Sequence, residues 1–213
     1  MARFLAVSLA VLTAVWPRVL LSQSAEPSDS VHVGDMWIYD RTDNITGAPM
    51  NTFTSMVTEV SPKEITTSVI FRGNNGRGLV VFDHDWNRTV ENDNRYSPND
   101  GHGIHAPLAV GKEWRYEYIW KNLQNGVSMK DTGLSKVVAQ ETLTTSAGTF
   151  DTFKIDRRVK EFNVADPSRL FDIEMLMWFS PQINHWIRRT FTVKAEGRVR
   201  ASSTDDLINY LQE

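Results

Sequence analysis

EWRYEYIW, residues 113–120, decides the fold class. Trp114, Tyr116, Tyr118 and Trp120 alternate with Glu113, Arg115 and Glu117. Successive side chains of a strand point to opposite faces, so this spacing lays four aromatics on one face and charges on the other. Similar alternation recurs over residues 36–41, 52–60, 64–72, 79–83, 127–143, 150–162, 170–179 and 185–194. Turn-forming clusters separate the runs: Asn44 to Gly47, Ser61-Pro62-Lys63, Gly73 to Gly76, Asn125-Gly126 and Ala147-Gly148. Such residues reverse a chain because they tolerate or preset turn dihedrals. No stretch beyond the leader keeps a 3.6-residue apolar period for three turns. Residues 203–212 fit a short capped helix or a last strand equally well.

The opening of this stretch is written twice. VGDMWIYD (Val33–Asp40) returns as VGKEWRYE (Val110–Glu117), and each is followed by strand, turn, strand. Val57 to Val60 matches Val137 to Gln140, and Ile65 to Ser68 is echoed by Leu143 to Ser146. The expectation is mostly β: one curved antiparallel sheet, a half-barrel or open clam, built from two similar meanders over about residues 31–82 and 108–195, with little helix. One meander has an apolar face that it cannot cover alone, whereas two can close over a shared core. The loop-rich segment 83–107 between them reads as a connection across the sheet.

The N-terminus points to export. Met1-Ala2-Arg3 precedes an apolar run from Phe4 to Trp16, then Pro17, Arg18 and small residues up to Ala25. That is the order of a secretory signal, expected to span residues 1–24 and to leave a single domain of residues 25–213. The apolar run falls short of the roughly 20 residues needed to span a bilayer, so no stable membrane span is expected after cleavage. The chain has no cysteine, which removes disulfides and any acceptor for a lipid anchor, and its formal net charge is −3. A mildly acidic protein has no general attraction for nucleic acid. A soluble periplasmic or secreted protein is the expected result.

Chemistry is sparse. The segment 83–107 holds Asp83, His84, Asp85, Glu91, Asp93, Asp100, His102 and His105, a reservoir of metal-ligating residue types. Strand alternation sets His84 against Asp83 and Asp85, and Gly103 loosens the His102–His105 spacing, so no metal site is expected. No nucleophile elbow or phosphate loop is present, and no catalytic residue or cofactor is assigned. The chain therefore reads as a non-enzymatic binder of a hydrophobic or amphipathic ligand such as a lipid. Trp37, Tyr39, Trp114, Tyr116, Tyr118 and Trp120 are the candidate ligand-binding residues. The alternative is an envelope assembly module that meets another protein through an exposed strand edge. A metal-dependent enzyme ranks below both.

Three stretches in order, VGKEWRYE, SAGTFDTFKI (146–155) and WFSPQINHWIRR (178–189), resemble exported bacterial envelope proteins of the TapB-like kind and a neighbouring DUF family. VFDHDWN (81–87) resembles their middle segment. The resemblance covers about residues 30–195 and implies a distant likeness to LolA- and LolB-type half-barrels, whose curved sheet shields an apolar cavity. It carries no catalytic residue. It implies a positive-φ turn at Gly148, core positions for Phe150, Phe153 and Ile155, and a bend at Pro181. Some relatives carry a lipidated cysteine that this chain lacks.

Overall fold

A computed structural model describes residues 31–73 and 76–212. The expected signal segment and the tip of the Gly73–Gly76 turn lie outside the described residues. Twelve antiparallel strands form one closed barrel in which each strand pairs with its neighbours in sequence. They are β1 (Met36–Asp43), β2 (Pro49–Val60), β3 (Ile65–Phe71), β4 (Arg77–Phe82), β5 (Arg88–Glu91) and β6 (Asn94–Ser97). Then come β7 (Glu113–Asn122), β8 (Ser128–Thr145), β9 (Gly148–Asn163), β10 (Asp166–Ser180), β11 (His185–Ala195) and β12 (Arg198–Leu211). The helical content among the described residues is one 3-10 turn, Pro181–Ile183. The mostly β, antiparallel reading holds.

The open half-barrel or clam does not. Two things close the sheet. Residues 203–212, which fitted helix or strand equally, belong to β12, and β12 pairs with β1 from Met36↔Leu211 to Asp43↔Ser203. The segment 83–107, read as a connection, supplies β5 and β6, which bridge β4 to β7. Closure satisfies the backbone groups that a free edge would leave bare.

The two octets sit alike. Gly34 N donates to Val57 O and Val57 N to Asp35 O; Gly111 N donates to Val137 O and Val137 N to Lys112 O. Gly34 and Gly111 both take positive φ (106° and 93°), which only glycine adopts cheaply. The pairing slips by a residue just after Val57 and again just after Val137. Beyond this the echo stops, since Ile65 opens β3 whereas Leu143 lies near the end of β8.

Up-and-down connectivity gives the barrel two unlike ends. The β1–β2, β3–β4, β5–β6, β7–β8, β9–β10 and β11–β12 hairpins share one end. The other carries Val31, the β12 terminus and the long excursion after β6. That excursion turns inward. Asp100, Gly103, Ile104 and Leu108 are buried, with Leu108 and Ile104 part of a core built on Trp37, Phe153, Ile155 and Phe179. The expected core residues Phe150, Phe153 and Ile155 are buried, Gly148 has φ 137°, and Pro181 opens the 3-10 bend. The outer wall is charged, with cross-strand pairs Lys130–Glu117, Lys160–Asp172 and Lys194–Glu174 over β7 to β11.

Candidate functional site

All six aromatics predicted for the site point into the barrel from β1 and β7, but they do not form one surface. Trp37, Tyr39 and Trp114 are buried in the core near the plugged end. Trp37 stacks on His185 with ring centroids 3.9 Å apart, and Trp114 Nε1 donates to Gly101 O at 3.3 Å. The Tyr39 hydroxyl donates to Trp186 O at 2.9 Å and lies 2.6 Å from His185 Nδ1. A carbonyl only accepts, so the Tyr39 proton is spoken for and His185 Nδ1–H must donate to Tyr39. That leaves His185 Nε2 as an acceptor, on a ring that burial pushes well below the usual histidine pKa and keeps neutral. Tyr116 is wedged beside Gly101 and Gly133, where any Cβ would fall 2.4 Å or 2.2 Å from it. Tyr118 and Trp120 sit farther toward the hairpin end.

Two adjoining cavities occupy the barrel. The first, of about 210 Å³, is lined by Phe53, Phe71, Phe82, Met177, Phe179 and Trp186 together with Arg41, Arg88, Arg157 and Arg189. The second, of about 380 Å³, lies toward the hairpin end and holds Tyr118, Trp120, Asp131 and Glu161. Arg41, Arg88, Glu91, His102, Met175 and Arg189 line both. A barrel of this strand number is wider than side chains alone can fill, which is why space remains.

The charged residues form linked groups. Asp205 accepts from Arg41 Nε at 2.6 Å, Arg41 Nη2 at 3.0 Å and Arg189 Nη2 at 2.9 Å. Burial pulls the Asp205 pKa up, but the Arg41 and Arg189 bonds and charges outweigh it and hold it below the usual carboxylate value. Arg88 reaches Asp100 at 3.2 Å and Glu91 at 2.5 Å, and its guanidinium lies 4.6 Å from the Tyr96 ring. His102 Nδ1 is 3.4 Å from Asp100, yet burial first, with Arg157 and Arg88 assisting, depresses its pKa to about 3. His102 is therefore neutral, and the contact is not an ion pair. Arg157 is 1% exposed, and among the described residues its hydrogen bonds are to Gly103 O at 3.3 Å and the Met175 sulfur at 4.0 Å.

In the second cavity Asp131 and Glu161 face each other across the β8–β9 ladder. Trp120 Nε1 donates to Glu161 at 2.9 Å. Burial, with the neighbouring Glu161 charge, pushes Asp131 up to about 7 against the opposing effect of a Tyr118 hydrogen bond. A carboxyl with a raised folded-state pKa stabilises the fold fully below its unfolded value near 3.9 and loses that contribution as pH rises through about 7. Asp131→Asn should therefore melt close to wild type at pH 4 and several degrees above it at pH 8, read as the difference between the two melting curves. A difference that stays flat with pH would show that Asp131 is ionised throughout.

Sequence reading missed the arginines and their carboxylates. A signal was present: Arg41 follows Trp37 and Tyr39 in phase, Arg157 follows Phe153 and Ile155, and Asp205 precedes Leu207. A charge in the apolar phase of a strand faces the interior. The polar residues of segment 83–107 scatter. His84 Nε2 contacts Ser61 O at 2.8 Å, Asp83 receives the Asn87 amide, and His105 stacks on Trp114. Among the described residues no group of three or more His, Cys, Asp or Glu converges on one point.

No protein family and no curated protein matches the chain. Solved structures do. A candidate lipoprotein of Parabacteroides distasonis superposes with a TM-score of 0.56 at 14% identity, over 87% of this chain and 97% of its own. A candidate exported protein with YmcC-like fold from Bacteroides fragilis gives 0.54 at 14%, over 88% and 98%. The chain shares that fold. The hypothetical lipoprotein YmcC of Escherichia coli K12 lies further off, at a TM-score of 0.49 and 11% identity over 84% and 86%. At such identities the likeness speaks for the barrel and its topology alone.

Proposed function

We propose that the protein is an exported, non-enzymatic envelope protein whose barrel interior binds a hydrophobic or amphipathic small molecule. The observation that carries this is the pair of adjoining cavities, walled by phenylalanine and methionine on one side and by arginine on another. Binding sites are commonly concave, mostly apolar and furnished with a few fixed polar groups. Location in the envelope draws on the signal-like N-terminus, the TapB-like resemblance and the exported description of the Bacteroides protein. The candidate site moves from the aromatics of β1 and β7 to the cavities, with Tyr118 and Trp120 retained from the six.

Native mass spectrometry of protein purified from its own envelope, followed by lipid extraction, is expected to find a bound small molecule. Val80 lines the first cavity and is buried. Val80→Phe should fill space with little strain, keep melting within a few degrees of wild type, and weaken binding by roughly tenfold or more. Wild-type protein that carries nothing, and whose tryptophan fluorescence ignores fatty acids and phospholipids, would remove this reading.

A second reading, an envelope assembly module, draws on the hairpin end. Ile45, Leu123, Val164, Leu170 and Val199 are exposed on or beside its turns. Scattered apolar residues are normal on a surface, but a cluster at one end suits a partner. The free strand edge first expected to serve this role is lost to β1–β12 pairing. Crosslinking in cells separates the two readings: one dominant protein adduct favours the module, co-purifying lipid the carrier.

A further inference from the structure

The first cavity holds a charge imbalance. Arg41, Arg88, Arg157 and Arg189 line it, while the carboxylates engaged with them are Glu91, Asp100 and Asp205. Asp205 serves Arg41 and Arg189 together, and Arg88 takes Asp100 and Glu91. Arg157 has no carboxylate within ion-pair distance among the described residues. Its Nε is buried without a protein acceptor, and so is the indole Nε1 of Trp186, which lines the same cavity. Both atoms can only donate. A guanidinium does not shed its proton, and a lone buried charge is costly unless something of opposite sign meets it. Asp131 and Glu161 line the second cavity, and burial favours their protonated forms.

We propose that the first cavity binds the anionic head of a small amphiphile, a carboxylate or phosphate group, on Arg157 and the indole N–H of Trp186. This deepens the ligand-binding reading and rests on it. Two contacts orient Arg157 for an anion. Gly103 O fixes one Nη2 hydrogen and Met175 lies against Nη1, leaving Nε–H and further N–H groups for the ligand. Two parallel N–H groups match the two oxygens of a carboxylate or phosphate. Phe53, Phe71, Phe82, Met177 and Phe179 provide the apolar wall for the tail.

The test is calorimetric titration of the delipidated full-length mature protein with octanoate, octyl phosphate, octanol and inorganic phosphate. Octanoate or octyl phosphate should bind at least about tenfold more tightly than octanol, the margin of one or two charge-assisted hydrogen bonds. Arg157→Met keeps bulk and removes the charge, so it should abolish that preference while leaving octanol binding in place. Should that variant fail to fold, Trp186→Phe keeps an aromatic side chain, removes the N–H, and should weaken the anionic probes severalfold relative to octanol. Octanol bound as tightly as octanoate would overturn the anion site and leave the cavity reading intact. Binding of no probe would end both. Inorganic phosphate bound more tightly than octyl phosphate would overturn the amphiphile and point to a free anion. A preference for octanoate unchanged by either substitution would place the head elsewhere and overturn the assignment.

Discussion

Asp205→Ala is expected to lower the melting temperature by roughly 10 °C, the largest loss from any single charged residue of the interior. Asp205 is 2% exposed and holds Arg41 and Arg189 at once. Removing it leaves two guanidinium groups facing each other, with Arg88 and Arg157 lining the same space. Breaking a buried pair by deleting one partner costs about 3 to 5 kcal/mol, because the remaining charge is uncompensated. At about 2 to 4 °C per kcal/mol for a chain of this size, the shift follows. The variant should also change the pH profile. The folded-state pKa of Asp205 is depressed, so its contribution is complete above the unfolded value near 3.9 and disappears as pH falls through the folded one. Asp131 acts in the opposite sense, losing its contribution on the alkaline side up to about 7. Melting curves from pH 2.5 to 8.5 should show the Asp205→Ala deficit shrink toward the acid limit and the Asp131→Asn gain grow toward the alkaline one. An Asp205→Ala protein that melts within 2 °C or so of wild type at pH 7 would mean that the arginines find solvent or another carboxylate.

The class of fold was legible because long strands advertise themselves. β7 alternates cleanly along its length, and the Asn-Gly and Ala-Gly turns reverse the chain where the sequence places them. Closure was not legible, for two physical reasons. β5 and β6 have four residues each, too few for a period of two to stand out, and Asn, Asp and Pro surround them. β12 reads Arg-Val-Arg-Ala-Ser-Ser-Thr-Asp-Asp-Leu, so Ser203 and Asp205 interrupt the apolar phase that leads to Leu207, and the partner that closes the barrel is β1, at the far end of the sequence. A strand whose partner is that remote carries no local turn signal for the pairing. The octet, by contrast, is a local device. Its glycine, the residue after it and the valine farther along the chain fix one hydrogen-bonded start to a strand, used twice.

The site was half legible for a related reason. Aromatic alternation on β1 and β7 located the interior correctly, since Trp37, Tyr39, Trp114 and Tyr118 are all buried. What the interior does depends on the charges in the same phase. Arg41, Arg157, Arg189, Asp131 and Asp205 are single residues on five different strands, and only the closed barrel brings them together. Read one strand at a time, each passes for one more solvated charge on a polar strand face. Segment 83–107 misled in the same way: its polar look comes from residues that serve the barrel from within, Asp100 on Arg88 and Asn87 on Gly103.

Gly103→Ala should release that inner segment and expose the cavities. Its backbone is not in the left-handed region, so the argument is one of space. A Cβ at position 103 would lie 2.3 Å from Asp85 O and 2.6 Å from the Asn87 side chain. Asp85 O is main chain, fixed by the hydrogen bond it accepts from Ile104 N at 2.5 Å, and Asn87 Oδ1 accepts from Gly103 N at 2.7 Å. Neither can yield without breaking its bond, so the methyl group must displace the segment. Displacement withdraws Ile104 from the core, takes Gly103 O away from Arg157, and uncovers Trp114 and Tyr116 where they meet Gly101. Overpacking of this kind costs typically 1 to 3 kcal/mol, and the lost burial of Ile104 adds about 1.5 to 3. A melting temperature lower by roughly 10 °C, with tryptophan emission shifted to the red and faster amide exchange confined to residues 98–108, is the expected result. Gly47→Ala is the control, since nothing lies within 4 Å of a Cβ there and its positive φ of 74° leaves only local turn strain in a hairpin at the other end of the barrel. Equal losses in the two variants would mean that the inner segment does not hold the barrel's plugged end. A Gly103→Ala protein that melts like wild type would show that the segment seats without touching Asp85.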